Sequence, residues 1–526
     1  MVINSVTGDP ILRAHVLLQG LGETTNYSIS GAGVKILGNS DSDSQDYGAL
    51  TNGEGKFSIA SLPPGNYFVS AERLGFVAPV NLHLDATSVV LAAGDKKQDL
   101  KLKLIPAGVI AGRILDADGE PVSNAEVTAE GARGSSQART GEQGQYRIAL
   151  YPGKYRIRAT PQRPPFGAEI RTDGSREVHY AATYYPDSLA RSSARAIDVE
   201  PAAQLSGIDI RLIGTPNVLV SGKVTGLSDN TRAHIQPNRE EDRNFGGWPG
   251  NLVKADGTFT IANLDPGKYT LVVTADGRGQ QRNLQSAPVE IEVAGDNIEH
   301  LELRMIAPFE VTGQIRFDDP QIRFPKPAPR PSGVPDNLPD DAPAPSAPRM
   351  IRLLPLHGGM WNGEANADIG ADDSFALEKV PPGRYHVMLD WGQGYVRSVR
   401  TGSLETDGDV LDVSNGAVGE VVVSVSSLTC EISGTVNDAS GPVANAHVVL
   451  APENGAGSFS RSTSTKPDGT YSFTGVPPGK FKLAVTEDEM YLNFMQPGEA
   501  LEDYKEVAES IELHPGDKLT KDLKRK

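Results

Sequence analysis

The residue types that carry most enzyme chemistry occur in this sequence, but not at the spacings that catalysis requires. The nine histidines are scattered, and none begins a His-x-x-Glu or His-Glu-x-x-His zinc motif. The sequence also lacks the Gly-x-Ser-x-Gly turn of serine hydrolases and a phosphate-binding glycine loop. We therefore predict no catalytic residues and no enzyme activity, with an active site between domains as the alternative.

One acidic stretch, DSDSQD at 41–46, resembles the start of a calcium-binding loop. Such a loop needs a glutamate at its twelfth position, which Asn52 occupies here. A solvated acidic loop is the preferred interpretation. We therefore predict no metal site, and no cofactor.

Aromatic residues among glycines mark two loops at corresponding places, RNFGGWPGN (243–251) and HGGMWNGEAN (357–366). Aromatic rings on polar loops stack on sugars or anchor protein partners, or they fold back over the end of a domain. A third aromatic stretch, HYAATYYPDSLARS (179–192), is either another such surface or, as we prefer, an extra edge segment packed on its domain. The candidate binding residues are Phe245, Trp248, Met360, Trp361, Tyr184 and Tyr185.

The net charge of −17 argues against nucleic acid as a partner, because phosphate binding needs clustered lysine and arginine. No window of 18 uncharged apolar residues predicts a membrane span. The single cysteine, Cys430, cannot form an internal disulfide and aligns with apolar positions elsewhere, so we predict a buried small side chain rather than a reactive thiol.

A sequence pattern that recurs five times determines the fold prediction. It consists of a small turn, an aromatic, alternating residues, Pro-Gly and a second aromatic. The turn is often Asp-Gly or Glu-Gly, in which the glycine tolerates positive φ. The alternation that follows fits a half-buried strand, and Pro-Gly predicts a type II turn. The second aromatic, where it is tyrosine, is expected to pack inward and bond to nearby backbone. The copies are 53–69, 142–157, 255–271, 371–387 and 467–483.

Two further patterns bracket each copy. An apolar strand with Gly-x-[Ile/Val] opens the repeat, as in VIAGRIL (109–115), and a strand of strict alternation closes it, as in DLKLKL (99–104). Short strands without long amphipathic helices predict an all-β chain of five tandem seven-stranded Greek-key β-sandwich domains. Short linkers with proline, such as IPAG (105–108), predict an extended rod. The predicted domains, called modules 1 to 5 below, are 1–105, 106–214 with the tyrosine-rich insertion 179–192, 215–307, 308–427 with a proline-rich loop 318–349, and 428–526.

The combination of Gly-x-[Ile/Val], Asp-x-x-Gly-x-Pro, Asn-Ala, Asp-Gly and Pro-Gly-x-Tyr resembles the carboxypeptidase regulatory-like domain. Modules 2 and 5 match best, through DADGEPVSNAEV (116–127) and DASGPVANAHV (438–448). The resemblance implies a transthyretin-like sandwich, similar also to collagen-adhesin B-type repeats. Such domains usually occur in bacterial secreted or surface proteins. Adhesin-like domains can carry a lysine–asparagine crosslink, but Lys223 lies at a polar-face position, so we expect none.

The repeats favour a non-catalytic structural or adhesive protein, and the family resemblance implies that it is extracellular. The partners we consider are other copies of itself, in a surface filament, and surface proteins. The alternative is an accessory protein that binds carbohydrate or protein through its aromatic loops. The first residues, VINSVTGDPI, predict strand and turn rather than an export signal. The protein is therefore either cytosolic or exported by a segment outside this sequence, and the family resemblance favours the second interpretation.

Overall fold

The part of the chain that the structure describes consists of β-strands and the turns and loops between them, apart from one short 3-10 turn, as the all-β prediction required. A computed structural model describes residues 1–20, 26–30, 33–37, 46–77, 88–131, 134–162, 178–227, 231–239, 251–276, 284–319, 349–356, 365–389, 394–416, 418–453, 460–486 and 508–525. Within these ranges the only helical element is a 3-10 turn at Arg191–Ser193. None of the described residues forms a helix long and apolar enough to cross a membrane.

The described residues divide into two compact units, one ending at Pro216 and the other beginning at Asn217. Within them, buried apolar side chains form five clusters, and each cluster falls inside one predicted module. Module boundaries and a count of seven strands per module stay predictions. The clusters span residues 2–104, 110–212, 218–305, 311–425 and 430–523.

The first compact unit contains modules 1 and 2. Module 1 has the sheets β1-β9-β7 and β5-β2-β6-β8 and the hairpin β3-β4, and module 2 has β13-β10-β18 with β19, β12-β11-β14-β16 with β17, and the pair β15-β20. The strands are β1 (Val2–Asn4), β2 (His15–Gly20), β3 (Asn26–Ser30), β4 (Gly33–Leu37), β5 (Asp46–Leu50), β6 (Gly65–Glu72), β7 (Phe76–Val77), β8 (Ser88–Leu91), β9 (Leu102–Pro106), β10 (Gly108–Leu115), β11 (Glu126–Gly131), β12 (Gly134–Arg139), β13 (Gln145–Leu150), β14 (Gly153–Thr160), β15 (Val178–Tyr180), β16 (Thr183–Tyr184), β17 (Ile197–Val199), β18 (Gln204–Leu205), β19 (Ile210–Arg211) and β20 (Gly214–Pro216).

The second compact unit begins with module 3. Its strands form one continuous hydrogen-bonded sheet in the order β23-β22-β25-β26-β28-β21-β24, with β27 paired to β25, and the short β26 connects the two layers. Module 4 has the sheets β32-β29-β37-β34-β35 and β31-β30-β33-β36. The strands are β21 (Val220–Thr225), β22 (Arg232–Arg239), β23 (Asn251–Leu252), β24 (Thr258–Ile261), β25 (Gly267–Asp276), β26 (Gln285–Ser286), β27 (Val289–Val293), β28 (Ile298–Ile306), β29 (Phe309–Phe317), β30 (Met350–Pro355), β31 (Ala365–Asp368), β32 (Ser374–Val380), β33 (Arg384–Leu389), β34 (Tyr395–Thr401), β35 (Leu404–Asp407), β36 (Val410–Asp412) and β37 (Val421–Ser426).

Module 5 has β39-β38-β42 with β45 and β46 on β38, and β41-β40-β43-β44. In modules 2 to 5 the opening strand lies between an antiparallel neighbour from the five-fold pattern and a parallel closing strand. The strands of module 5 are β38 (Cys430–Asp438), β39 (Gly441–Pro442), β40 (His447–Pro452), β41 (Arg461–Ser464), β42 (Thr470–Val476), β43 (Gly479–Thr486), β44 (Glu509–Leu513), β45 (Lys518–Thr520) and β46 (Leu523–Lys524).

The glycine of the opening strand is required by close contact between strands. In modules 2 to 5, a Cβ atom at the opening-strand glycine would lie within about 2 Å of a carbonyl oxygen in the closing segment of the module, closer than non-bonded atoms approach. In modules 2 and 5 the same carbonyl accepts a hydrogen bond from the first tyrosine of the five-fold pattern, Tyr146 or Tyr471. The distances are 2.0 Å for Gly112 to Ile208, 2.1 Å for Gly222 to Leu301, 2.2 Å for Gly313 to Val421 and 1.8 Å for Gly434 to Lys521.

The second aromatic of the pattern packs inward, as predicted. Tyr67, Tyr269 and Tyr385 each donate a hydroxyl hydrogen bond of 2.7 Å to the carbonyl of the residue four positions earlier. Phe481 has no hydroxyl and is 3% exposed, so it acts through apolar packing alone.

The predicted type II turn at Pro-Gly is wrong. A type II turn needs φ near +80° at its third position, whereas Gly153, Gly267 and Gly479 have φ of 154°, 148° and 147°. Each of these glycines is the first residue of a strand and pairs in its ladder, so its backbone is extended rather than turned. Glycine is still required, because side chains rarely adopt this mirror-image region of backbone space.

Candidate functional site

Four of the six candidate binding residues, namely Phe245, Trp248, Met360 and Trp361, lie outside the described residues. The acidic loop 41–46, except for its last residue, also lies outside the described residues. Residues 320–348 of the proline-rich loop lie outside them too. Among the described residues, no group of three histidine, cysteine, aspartate or glutamate side chains is placed to hold a metal ion. The aromatic-loop interpretation therefore stays a prediction.

Tyr184 is described, and its position is incompatible with an exposed binding face. Its side chain is 1% exposed, and β16 adds Tyr184 to the edge of the sheet beside Arg158 of β14. Tyr185 is half-buried and packs against the core of module 2. The insertion is therefore an edge segment packed on its domain, which was the preferred alternative.

A buried polar cluster holds this insertion. Glu130 on β11 is 3% exposed, and its Oε1 lies 3.9 Å from the Nη1 of Arg158, while its Oε2 lies 3.4 Å from the Nε of Arg191. The hydroxyl of Tyr184 donates to Glu130 at 3.4 Å, and the guanidinium of Arg158 lies 5.8 Å from the Tyr184 ring centre. Separating such a buried carboxylate from its cations is costly, so the cluster fixes the insertion in place.

The geometry of this cluster does not provide nucleophilic or acid–base chemistry. The carboxylate faces two guanidinium groups, which stay protonated at any physiological pH and so cannot act as an acid or base partner. The Tyr184 hydroxyl is hydrogen-bonded to the same carboxylate. We therefore interpret these contacts as structural.

A second set of buried polar contacts explains the Asn-Ala part of the family pattern. In modules 2 and 5, Asn124 and Asn445 have φ of 56°, a left-handed conformation that asparagine tolerates. The alanine that follows each asparagine donates its N–H to a buried threonine hydroxyl, Thr140 or Thr465, at 2.9 Å and 2.8 Å. Each threonine in turn donates its hydroxyl to a backbone carbonyl two residues before the asparagine. The threonines thus join the loop after the opening strand to the turn of the five-fold pattern.

Cys430 is buried, as predicted. Its side chain is 0% exposed, its thiol donates to the His514 carbonyl at 3.0 Å, and burial raises the pKa of the thiol. Lys223 is exposed, consistent with its predicted polar-face position.

Comparison with known families supports the sequence resemblance. Residues 109–172 and 431–522 match the family model of the carboxypeptidase regulatory-like domain. These two segments, which lie in predicted modules 2 and 5, are similar to that family. The two matched segments contain the Asn-Ala and threonine contacts described above, and in both the glycine of the opening strand contacts the closing strand.

Several similar solved structures share little sequence with this chain. They include the Bacillus anthracis TIE protein, at 11% identity over 98% of this chain and 68% of that chain, with a TM-score of 0.15. The major pilin subunit BcpA of Bacillus cereus matches at 10% identity over 80% and 100%, with a TM-score of 0.14. Two B repeat units of the Staphylococcus aureus collagen-binding protein match at 11% identity over 73% and 94%, with a TM-score of 0.14. Scores this low carry no argument about function, and the search of curated proteins gave no match.

Proposed function

We propose that this chain is a non-catalytic structural protein of the extracellular surface, built as a tandem scaffold of β-sandwich modules. The observation that carries the proposal is that the recurring residues stabilise the module in which they lie. The repeated glycines, tyrosines and threonines all serve backbone packing or backbone hydrogen bonds within a module. When the recurring polar groups of a repeat form hydrogen bonds within that repeat, the repeat is suited to act as a spacer or to present other surfaces to a partner.

The extracellular location is supported by the carboxypeptidase regulatory-like match, since such domains usually occur in secreted and surface proteins. Burial of Cys430 is compatible with an oxidising environment, because a buried protonated thiol is inert.

The location is tested by treating intact producing cells with trypsin and identifying the released peptides by mass spectrometry. We expect peptides of this chain to be released together with a known surface protein, while a cytosolic marker stays protected. Release only after lysis would contradict the proposal.

Self-association into a filament is the more specific form of the proposal. Purified chain is examined by light scattering after size exclusion and by electron microscopy over a wide concentration range. Ordered assemblies support the filament, and a monomer at every concentration restricts the chain to a non-polymerising scaffold.

A further inference from the structure

In each of modules 2 to 5, the chain enters and leaves the module on neighbouring strands. The opening strand and the closing strand pair in parallel within one sheet. The parallel pairs are β10 with β18 and β19, β21 with β28, β29 with β37, and β38 with β45 and β46. Because the paired strands run in the same direction, the entry point and the exit point of a module lie at opposite ends of the pair.

This geometry determines how a module responds to tension in the chain. Tension pulls the opening strand towards its first residue and the closing strand towards its last residue. The strands are therefore driven past each other along their length, which stresses the hydrogen bonds between them together. An antiparallel pair would have its entry and exit at the same end, and tension would peel its bonds in sequence. Breaking several bonds together needs a larger force than breaking them in sequence.

Module 4 has the longest uninterrupted parallel ladder among the described residues of these four modules. Residues 313–317 of β29 pair with residues 421–425 of β37, and the Asp318 N–H donates to the Val425 carbonyl at 3.0 Å. Both strands are internal to the sheet, because β32 flanks β29 and β34 flanks β37. Sliding one strand past the other would break this ladder and expose the apolar side chains that the two strands contribute to the core, namely Val311, Ile315, Val421, Val423 and Val425.

In modules 2 and 5 the parallel ladder is interrupted beside the opening-strand glycine, and an aspartate bridges the gap. In module 5, Oδ1 of Asp522 accepts hydrogen bonds from the N–H of Thr435 at 2.9 Å and from its hydroxyl at 2.8 Å. In module 2, Oδ1 of Asp209 accepts the N–H of Arg113 at 2.8 Å. The carboxylate takes the place of a backbone carbonyl, so hydrogen bonding between the two strands continues across the gap.

We propose that modules 2 to 5 resist tension along the chain through these parallel strand pairs, each of which we call a shear clamp. Modules 2, 3 and 4 lie between other modules along the chain, so tension in the chain passes through their shear clamps in series. That the chain carries tension rests on the proposed function, because a surface scaffold connects its attachment to the surface that it presents. The resistance itself is a property of the strand geometry.

The first test compares two pulling directions across module 4 in the full chain. Valine replaces Cys430, and DNA handles for optical tweezers are attached to pairs of new cysteines at the exposed positions Glu310, Glu420 and Leu428. Glu310→Cys with Leu428→Cys pulls the opposite ends of the shear clamp apart along the strands. Glu310→Cys with Glu420→Cys pulls on the two strands at the same end and peels them.

We expect module 4 to unfold at a force at least about twofold higher in the shearing direction than in the peeling direction, at the same loading rate, because the ladder must break together. The two proteins differ only in the position of one cysteine, so their folds and their cores are the same. A smaller ratio, equal forces or a higher force in the peeling direction overturns the proposal.

The second test removes the aspartate bridge of module 5, with handles on Leu428→Cys and Arg525→Cys for shearing. Asp522→Ala is expected to speed unfolding at constant force at least about fivefold, because two hydrogen bonds to a carboxylate are lost. Asp522→Asn keeps an acceptor oxygen and is the matched control, expected to stay within about twofold of the original chain. No acceleration by alanine, or equal acceleration by asparagine, overturns the shear clamp of module 5.

The same substitution in the peeling direction separates the shear clamp from general stabilisation. Handles on Leu428→Cys and Pro515→Cys pull at the end where β38 and β45 begin, and the Asp522 bridge lies further along the pair. Asp522→Ala is expected to have a smaller effect on the unfolding rate here than in shearing, and an equal effect in both directions overturns the proposal. These forces are measured on purified chain, so they fail separately from the trypsin experiment on cells.

Discussion

Replacing Gly313 in module 4 by alanine tests whether the opening-strand glycine is needed for strand contact. A Cβ at Gly313 would lie 2.2 Å from the Val421 carbonyl oxygen and 2.5 Å from the ring of Phe375. The ring can shift slightly, but the carbonyl belongs to the neighbouring strand of the same sheet and cannot move without disturbing the β29–β37 ladder.

The magnitude follows from these contacts. Overpacking a core typically costs about 1–3 kcal/mol, and a clash with backbone places this substitution near the upper end. Alanine also lowers the entropy of the unfolded chain, which stabilises the fold by about 0.4–1 kcal/mol. We therefore expect a net loss of about 1–2.5 kcal/mol in the free energy of unfolding of module 4.

Gly419 is the matched control in the same module. A Cβ at Gly419 meets no atom within 4 Å and its φ is not positive, so Gly419→Ala is expected to be neutral or slightly stabilising. Native-state hydrogen exchange in a urea series reports on each module separately, through peptides from β33 and β43. A difference below about 0.5 kcal/mol between the two variants would refute the steric reasoning. An equal loss in β43 of module 5 would refute separate cores.

Four further predictions follow from individual residues. Tyr385→Phe removes a 2.7 Å hydrogen bond to backbone and is expected to destabilise module 4 by about 0.5–1.5 kcal/mol in the same exchange assay, with no change in module 5. Gly479→Val places a side chain at φ 147° and is expected to cost module 5 about 1–3 kcal/mol; unchanged exchange in β43 would contradict this. Cys430 is expected to resist thiol reagents until the chain unfolds, and rapid labelling of the native protein would contradict its burial. Because burial raises the pKa of the thiol in the folded state, its contribution to stability is lost as pH rises past the ordinary thiol range. Trp248→Ala with Trp361→Ala is expected to abolish binding to any glycan or protein ligand found by array screening, without altering melting; retained binding would exclude the aromatic loops.

The parts of the fold that follow from local pattern were predictable from sequence. The five-fold repeat indicated the all-β class. Phe481 was predicted to be buried as the second aromatic of the repeat, and Cys430 by its alignment with apolar positions, and both lie in cores. The inward tyrosines were also predictable, since a tyrosine two residues after Pro-Gly recurs in four of the five copies and has a backbone carbonyl within reach of its hydroxyl.

Features that depend on distant parts of the chain were not predictable. The φ of Gly479 is set by its pairing with Leu513, so a local turn rule gave the wrong conformation. The burial of Glu130 was not predicted, because the residues that cover it belong to an insertion more than 50 positions later in the chain. The role of Thr140 had one weak sequence signal. A threonine lies four residues before the turn glycine in three copies of the repeat, at Thr51, Thr140 and Thr465.

The central claim is that the chain is a scaffold of five modules, each with its own core. Mechanical unfolding of single molecules by force spectroscopy tests it most directly. We expect five separate unfolding events, each releasing about 90–115 residues, or roughly 30–40 nm at ~3.6 Å per extended residue. Two large events, one for each compact unit, or a single event would contradict the claim.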